Sequence, residues 1–297
     1  MRILAAQPTK YIMQNNLAQA DSRYGRLFFF RNDDPIGSCV HHFGEWAQQE
    51  MDLFDTILTE TSNVLDVGAN IGTHSLYFSK RCRKGNIVAI EPQIYIHEIL
   101  CMNMIVNGCY NVLPVHAACG NKRDQMRMVN INPFEGEKVN FGMFKVNNET
   151  EIGIKTDVVP LDEYLYLDRF HMVKMDVEGY ESTVLDGAKK LLKQHKPLLY
   201  IEFNNKEGDD ELLEQLKRLD YIPYWHGYTK FNPNNFNKQT VNIWEEAGYV
   251  PTADSLDRRY ETNIICYPKK ETQPTNMKKA EFGDSITKLL FEDGLIT

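Results

Sequence analysis

Short apolar runs that alternate with helical segments constrain the fold of this chain more than any other feature. Each run is nearly continuous in apolar residues, which is the pattern of a parallel strand that helices cover on both faces. The runs lie at residues 64–67, 86–90, 111–115, 171–176 and 197–203, and helical segments at about 72–81, up to 106, 180–194 and 209–219 follow or separate them. The sequence therefore predicts a doubly wound α/β fold with a mostly parallel sheet.

Two aromatic-rich segments complete the predicted sheet. Residues 221–230 and 260–267 are expected to close it as an antiparallel pair, which gives seven strands with the last one antiparallel. The polar stretch 121–160 alternates weakly and is interpreted as a β-rich insertion or an edge hairpin. We expect a domain at 63–268, followed by a tail with one short helix at 269–297.

The first 62 residues are expected to form a lid-like segment. Residues 26–31 have the pattern of a short strand. Residues 45–58 predict an amphipathic helix, because Trp46, Met51, Phe54 and Leu58 recur near the helical period.

Charge and composition limit the classes of function. The 297 residues carry a net charge of -8, whereas a protein whose main partner is a long polyanion usually carries the opposite sign on its binding face. Nucleic acids and anionic membrane surfaces are therefore disfavoured as partners. No apolar run approaches the roughly 20 residues that span a bilayer, and we expect a cytoplasmic protein. The six scattered cysteines are expected to be free thiols, and the sequence does not set the oligomeric state.

The sequence DVGANIG at 66–72 lies at the first predicted strand-to-helix junction. Cofactors bind at such junctions in open α/β sheets, outside the carboxyl ends of the strands. Gly68 and Gly72 allow a tight turn, and the following helix directs free N–H groups toward a carboxylate. Glu91 ends the next strand, where an acid can accept hydrogen bonds from both hydroxyls of an adenosine ribose. Together the turn and the acid predict a nucleoside cofactor, in preference to a glycine turn that only packs a helix on a strand.

The same segment discriminates between two nucleoside cofactors. The dehydrogenase fingerprint G-x-G-x-x-G requires glycine where Asn70 and Thr73 stand, so the match to NAD is poor. Asp66, two residues before the first glycine, suits the cationic methionine end of S-adenosylmethionine (SAM). The sequence therefore favours SAM, and an NAD-dependent oxidoreductase is the weaker alternative.

Several motifs between residues 44 and 268 form a family-like pattern. They are GEW at 44–46, VLDVGANIG at 64–72, AIEP at 89–92, Asn103 and Asn107 before NV at 111–112, VPLD at 159–162, VKMDVEGYE at 173–181, LDGA at 185–188 and YIE at 200–202. In this pattern the chain resembles the FkbM family of class I methyltransferases, for which K-x-D-V-E-G-x-E is the most specific phrase. The resemblance implies a Rossmann-like fold and methyl transfer from SAM, mostly to hydroxyl oxygens of sugars, polyketides or other small metabolites.

We expect SAM to bind along the carboxyl edge of the sheet. The expected contacts are Glu45, Asp66, Gly68, Asn70, Gly72, Thr73, Glu91, Pro92, Ala117 and Asp176. Glu45 is expected near the methionine end of SAM, although an acid at a helix N-terminus is an equally common reason for its position.

Asp176, Lys174 and Glu202 are the expected catalytic residues. The sulfonium makes the methyl group electrophilic, so the enzyme mainly aligns the acceptor and excludes water, and a base takes the proton of an alcohol. Asp176, at the end of its strand, is the leading candidate for that base. Lys174 lies two residues earlier on the same strand face and is expected to pair with Asp176 or Glu202, either to tune the base or to order the strand ends.

The same rim is rich in carboxylates. Asp176, Glu178 and Glu202 could bind a divalent cation that holds a diol or a sugar. Capping of the next helix is the commoner reason for acids such as Glu178 and Glu181 at this position. The aromatic residues at 224, 225, 228, 231 and 236 are expected to pack in the core in preference to stacking on a sugar.

The expected function is O-methylation of a small-molecule or saccharide acceptor. A ribose 2′-O-methyltransferase acting on RNA would use a similar Lys–Asp–Glu set, but the acidic charge balance disfavours it. A catalytically silent SAM-binding scaffold is the alternative outside the enzymes.

Overall fold

The computed structural model describes residues 16–128, 153–165, 169–203, 209–246, 260–281 and 284. Within these ranges the strands are β1 Leu17–Ser22, β2 Gly25–Phe30, β3 Val64–Val67, β4 Ile87–Glu91, β5 Val112–His116, β6 Ala118–Cys119, β7 Asp124–Met128, β8 Ile154–Val159, β9 Met172–Met175, β10 Leu198–Glu202, β11 Tyr221–Thr229 and β12 Tyr260–Pro268. The helices are α1 Ile36–Phe43, α2 Gln48–Asp55, α3 Thr73–Arg81, α4 Ile94–Val106, α5 Glu181–Asp186, α6 Lys189–His195, α7 Asp209–Arg218 and α8 Ile243–Glu246, with a short 3-10 helix at Leu161–Tyr164.

Seven strands form the central sheet in the order β11-β12-β10-β9-β3-β4-β5. β3 pairs in parallel with β4 and β9, and β5 and β10 extend the parallel sheet on either side. β12 runs antiparallel to both of its neighbours, β10 and β11. The predicted doubly wound, Rossmann-like fold is confirmed, including the antiparallel last strand. The strand order reverses at β3, so a ligand crevice is expected outside the carboxyl ends of β3 and its neighbours.

The two faces of the sheet have different environments. Val173 and Met175 of β9 lie in the core beneath α5, α6 and α7, whereas Met172 lies in the cluster beneath α2 and α3. Because side chains alternate along a strand, Lys174 shares the face of Met172. The helices α2 and α3 therefore cover the face that carries the predicted charged residues.

The N-terminal segment packs against the same domain. β1 and β2 form an antiparallel hairpin, and the buried Asn103 side chain of α4 exchanges hydrogen bonds with the main chain of Phe28 in β2 at 2.7 and 3.0 Å. The predicted helix at 45–58 is confirmed but shorter, at Gln48–Asp55. It begins late because Ala47 adopts a left-handed conformation with φ 52°, which leaves Glu45 outside the helix.

The insertion after β5 has the predicted β character. β7 pairs antiparallel with β8, and β6 joins β8 in parallel to form a three-stranded sheet. The part of this insertion at 129–152 lies outside the described residues.

The helix predicted at 180–194 is two helices, α5 and α6, separated at Gly187. The Gly187 carbonyl accepts a hydrogen bond from the Asp162 N–H at 2.9 Å. The Asp162 carboxylate in turn accepts one from the Leu191 N–H in the first turn of α6, at 2.8 Å. This side-chain cap begins a new helix where periodicity alone predicted a continuous one.

Residues 269–281 run beside β11. The N–H of Trp225 donates to the Lys278 carbonyl, and the N–H of Ala280 donates to the Pro223 carbonyl. The short helix predicted for the tail is absent from 269–281, and residues 285–297 lie outside the described residues. None of the described helices has the length and apolar character needed to cross a bilayer.

Candidate functional site

The turn after β3 has the backbone geometry that its glycines predict. Gly68 and Gly72 have φ angles of 79° and 88°, and Asn70 is also left-handed at 50°. The N–H groups of Gly68 and Ala69 donate to the Ile90 carbonyl at 2.9 and 3.0 Å, which ties the turn to β4. Helix α3 begins directly after Gly72, so its unpaired N–H groups are directed toward the carboxyl edge of the sheet.

Glu91 ends β4 beside this turn. Its two carboxylate oxygens accept hydrogen bonds from the Asn70 and Gln93 N–H groups at 3.0 and 2.8 Å. Burial raises the pKa of Glu91 to about 7, with a further contribution from nearby carboxylates, although the two hydrogen bonds oppose the shift. The carboxylate is held where a ribose is expected, and each oxygen keeps a lone pair for a hydroxyl group.

Three other expected cofactor residues lie at the same edge of the sheet. Thr73 is the first residue of α3, Ala117 connects β5 to β6, and both are buried. The Pro92 carbonyl accepts hydrogen bonds from His116 Nε2 at 3.0 Å and from the Thr156 hydroxyl at 3.3 Å. The chain that follows Glu91 is therefore fixed in place, and the contacts of these residues with a cofactor stay predictions.

Asp66 and Lys174 stand opposite each other in register on β3 and β9. Asp66 is fully buried, and its Oδ2 accepts a hydrogen bond from the Ser75 hydroxyl at 2.5 Å. The predicted contact between Asp66 and the cofactor stays a prediction.

The ammonium group of Lys174 lies among several acidic side chains. Its Nζ lies 3.5 Å from Asp176 Oδ2, which confirms one of its two predicted carboxylate partners. Burial opposes the charged form, but nearby acids outweigh burial and raise the pKa of Lys174 above its ordinary value; these acids are Asp176, Asp66, Glu50 and Glu202. Lys174 is therefore cationic at neutral pH and does not serve as a proton acceptor.

The three carboxylates of the predicted cation set converge at the ends of β9 and β10. Asp176, Glu178 and Glu202 each offer an oxygen, and these oxygens lie within 4.8 Å of one another. Carboxylates at this spacing could ligate a hard divalent cation. Glu181 accepts hydrogen bonds from the N–H groups of Val177 and Gly179, at 3.4 and 3.2 Å, and so orders the turn before α5.

Glu50 is a buried member of this charged face that the sequence analysis missed. Its Oε2 lies 2.7 Å from His74 Nε2, and its Oε1 accepts hydrogen bonds from the Tyr228 hydroxyl at 2.6 Å and from Asn263 Nδ2 at 3.0 Å. Burial opposes ionisation, but His74, Lys174 and the Tyr228 hydroxyl together lower the pKa of Glu50 to about 2. A sequence signal existed, because Glu50 precedes Phe54 by four residues and therefore shares its apolar helix face.

Glu45 is held by hydrogen bonds to other residues of the protein. Its Oε2 accepts hydrogen bonds from Arg23 at 2.6 Å and from the Phe236 N–H at 2.8 Å, and its Oε1 accepts one from Asn232 at 2.7 Å. Both oxygens are thus committed to protein partners that join the β1–β2 turn to the loop after β11. The cofactor contact of Glu45 stays a prediction, and the hydrogen bonds at both of its oxygens argue against it.

The aromatic residues of β11 pack as predicted. Tyr224, Trp225 and Tyr228 are buried, and Phe231 packs edge-on against Phe43 of α1. Phe236, in the loop after β11, is 42% exposed. Within the predicted aromatic set, the described coordinates leave this one ring substantially open to solvent.

Similarity to known proteins agrees with the geometry of this site. The family model described as the methyltransferase FkbM domain matches residues 66–223, which is more than half of the chain. Methyltransferase 1 of Beauveria bassiana (strain ARSEF 2860) is 23% identical over 171 residues, covering 50% of this chain and 68% of that protein.

Two solved structures are similar to this chain at low sequence identity and low TM-score. Methyltransferase FkbM from Methylobacillus flagellatus KT is 19% identical with a TM-score of 0.45; the match covers 71% of this chain and 44% of that one, so this chain spans less than half of that protein. M. jannaschii TYW2 in complex with AdoMet is 12% identical with a TM-score of 0.46, and the match covers 90% of each chain. The fold assignment rests on the strand order of this protein. The match to the family model, together with the glycine turn and the acid that ends β4, identifies the chain as a member of the FkbM family of SAM-dependent methyltransferases.

Proposed function

We propose that this protein transfers the methyl group of SAM to a hydroxyl oxygen of a saccharide or another small metabolite, with Asp176 as the proton acceptor. Bound SAM supplies an electrophilic methyl group and a thioether leaving group. The position of Asp176 carries the proposal: its side chain is 42% exposed at the end of β9, and its N–H donates to the Val67 carbonyl at 3.0 Å. A carboxylate next to the glycine turn is within reach of an acceptor that approaches the crevice.

The proposed reaction is a direct displacement. The acceptor oxygen forms the new C–O bond while the C–S bond breaks, and the electron pair of that bond returns to sulfur. The hydroxyl proton passes to the carboxylate of Asp176. Lys174 holds its ammonium group 3.5 Å from this carboxylate and is expected to keep it in one position.

The test is a methyl-transfer assay of the Asp176→Asn variant, which keeps the size of the side chain and removes its basicity. A panel of glycans, nucleotide sugars and small alcohols serves as acceptors, and formation of S-adenosylhomocysteine (SAH) is measured. We expect kcat at saturating SAM to fall by about 10²- to 10⁴-fold, as for loss of a general base, while the variant still binds SAM. Asp186→Asn is the matched control, since the side chain of Asp186 is 43% exposed and also pairs with a lysine.

The same assay separates the alternatives. A silent SAM-binding scaffold would bind SAM and form no SAH with any acceptor. A ribose 2′-O-methyltransferase would methylate an RNA included in the panel and leave the sugars unchanged. Equal turnover by the Asp176→Asn variant and the wild-type protein would remove Asp176 as the base.

A further inference from the structure

Glu50 links the N-terminal segment to the cofactor end of the sheet. It projects from α2 and meets His74, the second residue of α3, at 2.7 Å. Hydrogen bonds from Tyr228 of β11 and Asn263 of β12 fix its other oxygen. The proposed transfer reaction assigns no role to the Glu50 carboxylate. It nevertheless contacts the first turn of α3, the helix that begins at the glycine turn.

Negative charge exceeds positive charge on this face of the sheet. Lys174 is surrounded by the acids Asp176, Asp66, Glu50 and Glu202. Asp66 Oδ1 is buried, and among the described residues it has no hydrogen-bond partner. One ammonium group therefore faces four carboxylates.

The same carboxylates also raise the pKa of two other buried acids, Glu91 and Glu261. Burial is the largest cause of the raised pKa of Glu91, and Asp176 and Asp66 raise it further. Burial also raises the pKa of Glu261, with Asp176 and Glu50 adding to the shift although Lys230 opposes it. In both groups the contribution of the neighbouring carboxylates, though smaller than that of burial, has the sign that negative potential produces.

We infer that Glu50 is a specificity-determining residue whose negative charge makes the protein bind SAM in preference to SAH. The two molecules differ by one methyl group and one positive charge, which the sulfonium carries. Negative charge held in a site of low dielectric stabilises the cation and leaves the neutral thioether nearly unaffected. This preference would favour release of the product after each transfer. The inference depends on the cofactor, which family membership establishes, and does not depend on the acceptor.

The experiment compares two variants of Glu50 by calorimetric titration with SAM and with SAH. Glu50→Gln keeps the shape of the side chain and an oxygen for Tyr228 and Asn263, but it removes the charge. Glu50→Asp keeps the charge and disturbs the contacts. All titrations are made at one pH and one salt concentration, so that the variants differ from the wild-type protein only in the side chain at position 50.

The expected result is a change in the ratio of the two affinities. In Glu50→Gln the Kd of SAM rises roughly 3- to 20-fold and the Kd of SAH stays the same, as for loss of one charge at intermediate dielectric. In Glu50→Asp any change in affinity is the same for SAM and SAH, so the ratio of the two affinities stays that of the wild-type protein. Glu60→Gln is the control, because Glu60 precedes β3 at the opposite edge of the sheet and its side chain is 36% exposed.

A purely structural Glu50 would weaken the binding of SAM and SAH equally in both variants, and that outcome would overturn the inference. An unchanged ratio in Glu50→Gln would do the same. If Glu50→Gln does not fold, Glu202→Gln removes a second carboxylate near Lys174 and must shift the ratio in the same direction. Every measurement here is a binding constant for SAM or SAH and needs no acceptor. The result therefore stands even if the proposed acceptor class is wrong.

Discussion

The Cα of Gly68 packs directly on the main-chain carbonyl of Asp176, so that a Cβ at position 68 would overlap that oxygen. The N–H of Asp176 also donates to the Val67 carbonyl at 3.0 Å. The glycine turn after β3 and the proposed base after β9 are therefore one structural unit. A substitution in the turn is therefore expected to displace the main chain of Asp176, although it does not contact the Asp176 side chain.

Gly68→Ala is expected to damage the site more than an equivalent substitution elsewhere. The new methyl group would meet the Asp176 carbonyl, and residue 68 would also have to keep a φ of 79°. We expect a loss of about 2–4 kcal/mol in the free energy of unfolding, since overpacking and backbone strain add. Gly108→Ala is the control: it has a φ of 64°, but the nearest atom to its Cβ is 3.7 Å away. The free energies of unfolding are measured by urea titration. An equal loss in both variants would contradict the close approach of Gly68 to the Asp176 carbonyl.

Glu91→Gln should stabilise the ligand-free protein at high pH. The folded-state pKa of Glu91 is about 7, and the ordinary glutamate value is about 4.3. Between these values the folded state holds a proton that the unfolded state releases, so wild-type stability falls as the pH rises toward 7 and beyond. The loss approaches about 3–4 kcal/mol, and a glutamine at 91 does not undergo it.

The measurement is denaturant unfolding of both proteins from pH 5 to pH 8.5. The stability difference should move in favour of Glu91→Gln across this range, while the affinity for SAM falls. Two parallel stability curves would show that Glu91 ionises normally.

The cysteines should react with a thiol reagent in two groups. All six are free, and only Cys101 is partly exposed. Burial raises the pKa of Cys82 to about 11 and holds those of Cys39, Cys119 and Cys266 higher still. With Ellman's reagent at pH 8, we expect one thiol to react in the native protein and six in denaturant. Cys101→Ser should abolish the native reaction, and rapid labelling of a second thiol would contradict the observed packing.

The fold was predictable because its signals are local. Apolar runs at 64–67 and 86–90 and the glycines between them identify parallel strands and the crossover turn. The division of the helix at 180–194 was not predictable, since it depends on Asp162, a residue 29 positions before the Leu191 N–H that it caps. Such a contact has no periodic signature.

The candidate site was predictable in part for the same reason. Asp176 and Lys174 are close in sequence on one strand, so their pairing follows from strand geometry. Glu50 contacts Tyr228 and Asn263, which are 178 and 213 residues away. Only the tertiary structure brings these groups together. The one local signal for a buried Glu50 was the position of this acid on the apolar face of its helix.

The role of Glu45 can be tested by a substitution that separates loop anchoring from cofactor binding. In Glu45→Gln, the Oε2 position that accepts from Arg23 and from the Phe236 N–H loses its charge. Loss of charge-assisted hydrogen bonds at a buried carboxylate is expected to cost about 1.5–3 kcal/mol. Because these bonds hold the loop after β11, hydrogen exchange of amides at 231–237 should accelerate, with little change in the sheet.

Binding of SAM supplies the second readout of this prediction. The carboxylate of Glu45 is committed to protein partners, so the Kd of SAM should stay within about threefold of the wild-type value. Glu60→Gln is again the control, since its ion pair with Arg83 is exposed to solvent and should contribute little. A loss of SAM affinity without faster exchange at 231–237 would restore the direct cofactor contact that the sequence alone suggested. Faster exchange with intact SAM binding would leave Glu45 as the residue that fastens the loop after β11 to the N-terminal hairpin.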